Sequence, residues 1–168
     1  MSANLSRIGT RANLQQGGTF DLLVMGFANG FPRGYVSFEM GDTPRRVTGV
    51  QKVVQTFLKT LLSNRGSDPV HADFGTDLSN YISFSNVGSD EDELNRVIID
   101  CVQDAEQQTQ SILNTKLQDL SSQLDSVSIL FATTAEETLN IGLKIITKDG
   151  SSASVAIPFP QSDLSLNA

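Results

Sequence analysis

A chain of 168 residues, 39% hydrophobic and 18% charged, is long enough for one domain with its own core and too apolar to remain unfolded. A formal charge of −7 argues against nucleic acid as the main partner, and no apolar run approaches the roughly 20 residues of a membrane-spanning helix. The single cysteine, Cys101, closes no internal disulfide, and the N-terminal stretch lacks an apolar signal core, so first folding in a cytosol is the expectation.

In chain order, residues 1–18 are polar with a Gly17-Gly18 hinge and read as a flexible arm. A single domain is expected over 19–160, followed by a polar tail at 161–168. Residues 19–40 hold five of the eleven aromatics, and FDLLVMGF and GYVSFEM flank the turn sequence ANGFPRG. That pattern predicts a β-hairpin laid over the core. Thr43-Pro44 reads as a helix start, because threonine can cap and proline suits the first helical position. From Val47 through Val50, Val53, Val54, Phe57, Leu58, Leu61 and Leu62 the apolar residues repeat at helical spacing. Gly66 is placed to end this helix, Pro69 to prevent its continuation, and Phe74 to drop its ring back onto the Phe57 and Leu61 face. A short helix is expected over 77–82.

The longest periodic segment runs Leu94, Val97, Ile98, Cys101, Val102, Ala105, Ile112, Leu113, Leu117 and Leu120, with a break expected near Asn114. Three strands follow, centred on 127–131, 139–145 and 153–159, with turns at 134–138 and at Lys148-Asp149-Gly150. The predicted class is α+β. It comprises an N-terminal hairpin, amphipathic helices with a Gly/Pro corner, and a C-terminal three-stranded antiparallel meander within a mixed sheet on which the helices pack.

The inventory for chemistry is thin. His71 is the chain's one imidazole, flanked by Asp68 and Asp73, and a lone histidine in a polar loop reads as solvated or locally bonded. Cys101 falls within an apolar stripe, where packing is the ordinary role. The run Asp90–Glu93 opens a helix, where carboxylates complement exposed amides, and its spacing is not that of an EF-hand. The glycines match neither a P-loop nor a dinucleotide fingerprint. No catalytic residue, metal or cofactor is expected.

The segment TLLSNRG at 60–66, a short spacer containing Pro69, and DFGTDL at 73–78 together resemble a motif of the baseplate wedge and sheath-initiator proteins of contractile phage tails, which also occur in type VI secretion baseplates. The resemblance spans about residues 47–159, and the corner residues that carry it are Leu61, Gly66, Pro69, Phe74, Gly75 and Leu78. The chain reads Ser63-Asn64-Arg65-Gly66 where Thr-x-x-Gly-Glu is commoner, and LQDLSSQLDSV where the family has a Glu-Pro-Arg signature. Contacts made by that signature are therefore not carried over.

The resemblance implies a structural protein of the virion, assembled in the host cytoplasm, in six copies around the inner baseplate. Its partners would be tail sheath, baseplate wedge and tail tube proteins, with no nucleic acid and no membrane. It would offer a sheet edge to the first ring of sheath subunits. The matching strand carries Ala153, Val155, Ile157 and Phe159 and ends in Pro158 and Pro160, and prolines favour an edge. A protected edge, or one covered by the arm, is the other reading of the same prolines. Residues 1–65 hold eight Lys/Arg against three Asp/Glu, and 66–168 hold four against sixteen. That gradient reads either as surface scatter or as opposite-signed ends, with Arg7, Arg11, Arg45 and Arg46 meeting acidic wedge or tube surfaces. The alternatives are a type VI baseplate subunit and a tail-associated glycan hydrolase. The latter would need two paired carboxylates, and Glu39 and Glu106 are those near apolar stretches.

Overall fold

A computed structural model of the chain describes residues 21–22, 25–27, 36–38, 46–84, 91–135 and 138–160, and side chains within 47–82, 92–133 and 138–159. Four short strands come first: β1 (Asp21–Leu22), β2 (Met25–Phe27), β3 (Val36–Phe38) and β4 (Arg46–Val47). Strands β2 and β3 pair antiparallel, with Met25 opposite Phe38, as the aromatic hairpin predicted; its turn lies outside the described residues. Asp21–Leu22 does not extend that hairpin. It pairs with β4, Asp21 opposite Val47.

Helix α1 spans Gly49–Leu62. The predicted start at Thr43-Pro44 is therefore five residues early, because Arg46 and Val47 are extended and paired. Val47 is buried as a strand residue and not as the first of the helical stripe. Thr48 occupies the N-cap without a side-chain bond to the helix. The Gly49 amide instead donates to Ser122 Oγ at 3.0 Å, so a distant hydroxyl satisfies one of the open amides of the first turn. The helix is rich in valine and threonine, which are weak helix formers, so tertiary burial must sustain it. Val53, Phe57, Leu58 and Leu61 are wholly buried. Helix α2 spans Leu78–Phe84 and α3 spans Glu91–Leu113. Leu94, Ile98, Cys101, Val102, Ala105 and Leu113 form the buried face of α3.

Helix α3 stops at Leu113, at the break expected near Asn114, and the apolar stripe does not continue as helix beyond it. Ile112 is exposed at the end of the helix, and Leu117 and Leu120 lie beyond it at 87% and 57% exposure. The reason is local. Asn114 turns its side-chain amide to the Leu124 carbonyl at 2.9 Å, and Gln123 donates to the Thr115 and Gln118 carbonyls. Those bonds fold 114–123 into a compact reversal containing one 3-10 turn, Leu120–Ser122.

Strands β5 (Leu124–Ala135), β6 (Thr138–Thr147) and β7 (Ser152–Pro160) form an antiparallel sheet in the order β5-β6-β7. The ladders among the described residues are antiparallel, and the expected mixed sheet reduces to this meander beside two separate two-stranded ladders. Leu139, Ile141, Leu143 and Ile145 alternate inward along β6, completing one apolar cluster with the helices. Helix α1 lies over β6 and β7 and α3 lies against β5, so the molecule has a helical layer on one face of its main sheet.

Candidate strand-docking margin and helical corner

The turn between β6 and β7 fixes which backbone groups of β7 are committed. Asp149 accepts from Thr147 Oγ1 at 2.5 Å and from the Ser151 amide at 2.9 Å, and these bonds hold its carboxyl below the usual carboxylate range. The Thr147 amide donates to the Ser151 carbonyl at 2.9 Å, so Ser151 faces β6. Along a strand, successive residues direct their amide and carbonyl to opposite sides. Ala153, Val155, Ile157 and Phe159 therefore bond to β6, and Ser152, Ser154, Ala156, Pro158 and Pro160 direct theirs away from it. The prolines agree, since neither could donate to a ladder.

The expected edge residues Ala153, Val155, Ile157 and Phe159 thus line the inner face of β7, where Val155 and Ile157 are buried. The backbone that could receive a partner belongs to Ser152, Ser154 and Ala156, all three exposed. Among the described residues no strand pairs with β7 on its far side. The β6–β7 register runs without a shift from Ile146/Ser152 to Thr138/Pro160.

The opposite margin differs. Three residues spaced four apart, two on α3 and Asn114 just past its end, reach the start of β5. Asn114 donates to the Leu124 carbonyl at 2.9 Å, Gln110 donates to the Asp125 carbonyl at 2.9 Å, and the Glu106 carboxylate accepts from the Val127 amide. Further along, the β5–β6 register shifts between Ile129 and Phe131. Side-chain caps and a bulge both blunt an edge, so β7 offers the more regular margin.

The Gly/Pro corner is a bonded knot. The Thr76 amide donates to the Ser63 carbonyl at 2.8 Å and the Arg65 amide to the Thr76 carbonyl at 3.1 Å, giving a parallel bridge between 64 and 76. Gly75 has φ 98, and a Cβ there would lie 2.4 Å from the Ser63 carbonyl oxygen. The Gln108 side chain accepts from the Gly75 amide and donates to its carbonyl, each at 3.0 Å. Arg65 pairs with Asp104 and, at 3.5 Å, with Asp77. Leu78 is fully buried and fills the space below.

Two corner expectations change. Helix α1 ends at Leu62 with Ser63 as its cap, and Gly66 (φ 79) serves the next turn, closed by the Ser67 amide on the Asn64 carbonyl. Phe74 is half-buried and lies outside the apolar cluster that Phe57 and Leu61 belong to, because the tight approach at Gly75 gives that place to Leu78. Pro69 sits in the exposed tip, where Asp68 accepts from the amides of Val70 and His71. Its carboxylate is occupied there and not by the imidazole, and those amides lower its pKa.

No family description matches the chain, and no curated protein matches it. Among solved structures, the chain is similar to the crystal structure of a candidate tail lysozyme from Geobacter sulfurreducens. That similarity has 15% identity and a TM-score of 0.47, covering 68% of this chain and 93% of that one.

Of the remaining candidates, Arg7, Arg11, Arg45 and Glu39 lie outside the described residues, and Arg46 is described as the backbone of β4 alone. Burial pushes the Cys101 thiol up, beneath Thr76 and Asp77, away from the thiolate form that reactivity requires. Burial likewise raises Glu106, with Asp125 nearby adding to the shift. Among the described residues no group of three or more His, Cys, Asp and Glu could hold a metal, and no helix is long and apolar enough to cross a membrane. The polar residues Asp104, Gln108 and Gln110 of α3 were not singled out from sequence. The spacing of four between Asp104 and Gln108, and between Glu106 and Gln110, was the available signal.

Proposed function

We propose that this protein is a structural baseplate component of a contractile phage tail, and that it templates the first ring of sheath subunits by accepting a strand on β7. The observation that carries the reading is the regular nine-residue β7, whose outward amides at Ser152, Ser154 and Ala156 face no strand among the described residues. Such a row of unused donors and acceptors is a template for strand addition, with affinity supplied by main-chain bonds and selectivity by the flanking side chains. The corner residues that resemble the sheath-initiator motif support the same reading. Asn64, Arg65, Gly75 and Thr76 form a stiff bend that fixes α2 and α3 against the sheet-bearing core.

On this reading the chain works without catalysis, in six copies, against sheath, wedge and tube proteins, and it resides in the virion. A type VI baseplate subunit would use the same margin. The hydrolase alternative gains little from Glu106, whose carboxylate already accepts from the Val127 amide and from Gln110.

A photo-crosslinking amino acid at Ser154 in assembled tails should capture the sheath subunit. Intact tails in which position 154 captures no sheath would overturn the templating role. Incubation of the purified chain with peptidoglycan should release no sugar fragments, and steady release would favour the hydrolase.

A further inference from the structure

We infer that the β7 margin takes a short extended segment of another chain along Ser152–Ala156, apolar at every second residue, and that Pro158 ends its two-way pairing. This inference rests on the reading of β7 as a docking margin. The parity of the strand supplies the length. Ser152, Ser154 and Ala156 each present both an amide and a carbonyl outward, so they can exchange two bonds with a partner residue. Pro158 and Pro160 present carbonyls alone, so beyond Ala156 an added strand can donate but finds no donor. Full pairing therefore spans five residues of β7, and an incoming segment of about five to seven residues satisfies it.

The two faces of β7 supply the pattern. Val155 and Ile157 are buried on the inner face beneath the helical layer, while Ser152, Ser154 and Ala156 are exposed on the outer face. Side chains of an added strand continue these faces, because cross-strand neighbours share a side of the sheet. The inner positions extend the apolar cluster and call for valine-like residues. The outer positions lie beside serine and alanine and call for small polar ones. A charge at an inner position would be drawn out of water against Val155 and Ile157 with no partner.

Amide hydrogen exchange of the full chain, read residue by residue by NMR, tests both parts. In the isolated protein the Ser154 and Ala156 amides should exchange at least about tenfold faster than those of Val155 and Ile157. Equal protection of all four would show the margin already closed within its own chain and would overturn the inference. A blocked seven-residue peptide alternating valine and serine, at millimolar concentration, should slow Ser154 and Ala156 selectively. The same peptide with aspartate for valine should not. Loss of this discrimination, or no slowing by either peptide, would overturn the pattern. Ala156→Pro should abolish the effect and keep the circular dichroism of the parent, whereas Val155→Pro should lose the folded signal because its amide is bonded to β6. The reverse ranking would overturn the assigned parity. None of these readouts uses a tail protein. If they succeed while sheath capture fails, only the tail reading falls.

Discussion

Gly75 and Gly66 both hold positive φ in the corner, yet they predict different tolerance. At Gly66 nothing lies within 4 Å of an added Cβ, so Gly66→Ala meets the left-handed strain alone, about 1–2 kcal/mol. At Gly75 the methyl would also strike the Ser63 carbonyl, which is fixed by its bond to Thr76, so Gly75→Ala should cost about 2–4 kcal/mol. Urea midpoints for the two variants check the ranking. Asp149 makes a pH prediction. Its bonds to Thr147 and Ser151 lower its folded-state pKa below that of the unfolded chain, so the unfolded state binds the proton first as the solution acidifies. The stability it contributes is present above about pH 4 and is lost as pH falls through the folded value. Asp149→Asn should therefore be less stable than the parent at pH 7, and the two should converge near pH 2 in urea titrations.

Among the elements, α1 and α3 were legible because a 3.6-residue stripe is a local property, visible in Val53, Phe57, Leu61 and in Leu94, Ile98, Cys101. The end of α3 was legible too, in the break at Asn114, but the start of α1 was not, because it depends on contacts far along the chain, the pairing of Val47 with Asp21 and the Ser122 hydroxyl. The same limit hid the corner. The Gly-Pro punctuation announced a bend, but the Gln108 clamp on Gly75 joins residues 33 apart. It also misassigned the plug. Leu78→Ala should cost about 2–5 kcal/mol, the range for emptying a fully buried site, and Phe74→Ala less than half of that in the same unfolding assay. For the sheet, apolar alternation told the inner face from the outer but not one margin from the other. That distinction was written in the spacing of Pro158 and Pro160, which puts both on the same side of the strand.

For the whole molecule, the two margins of the sheet are unequal. Polar side chains reach the first residues of β5 and its register shifts further along, while among the described residues β7 keeps a regular row of outward groups. A subunit that docks partners at β7 alone would add them in a single direction and would not propagate with itself. Ala156→Pro, introduced into cells that assemble the tail, should leave baseplates with the subunit incorporated and no ordered sheath by negative-stain microscopy. Sheathed, contractile particles from that variant would contradict the proposal. The acidic surplus beyond residue 66 bears on placement within such an assembly. Deleting residues 2–16 should weaken incorporation at low salt, and unchanged incorporation at both low and high salt would remove any role for Arg7 and Arg11.

The position of α1 between its neighbours has a cost during translation. This helix leaves the ribosome almost a hundred residues before β7, the strand that completes its cover. At roughly 5–20 residues per second the greasy side of α1 stays bare for about 5–20 seconds. Nascent chains should therefore bind holdase chaperones until the meander emerges, and a truncation that stops before Leu139 should stay bound.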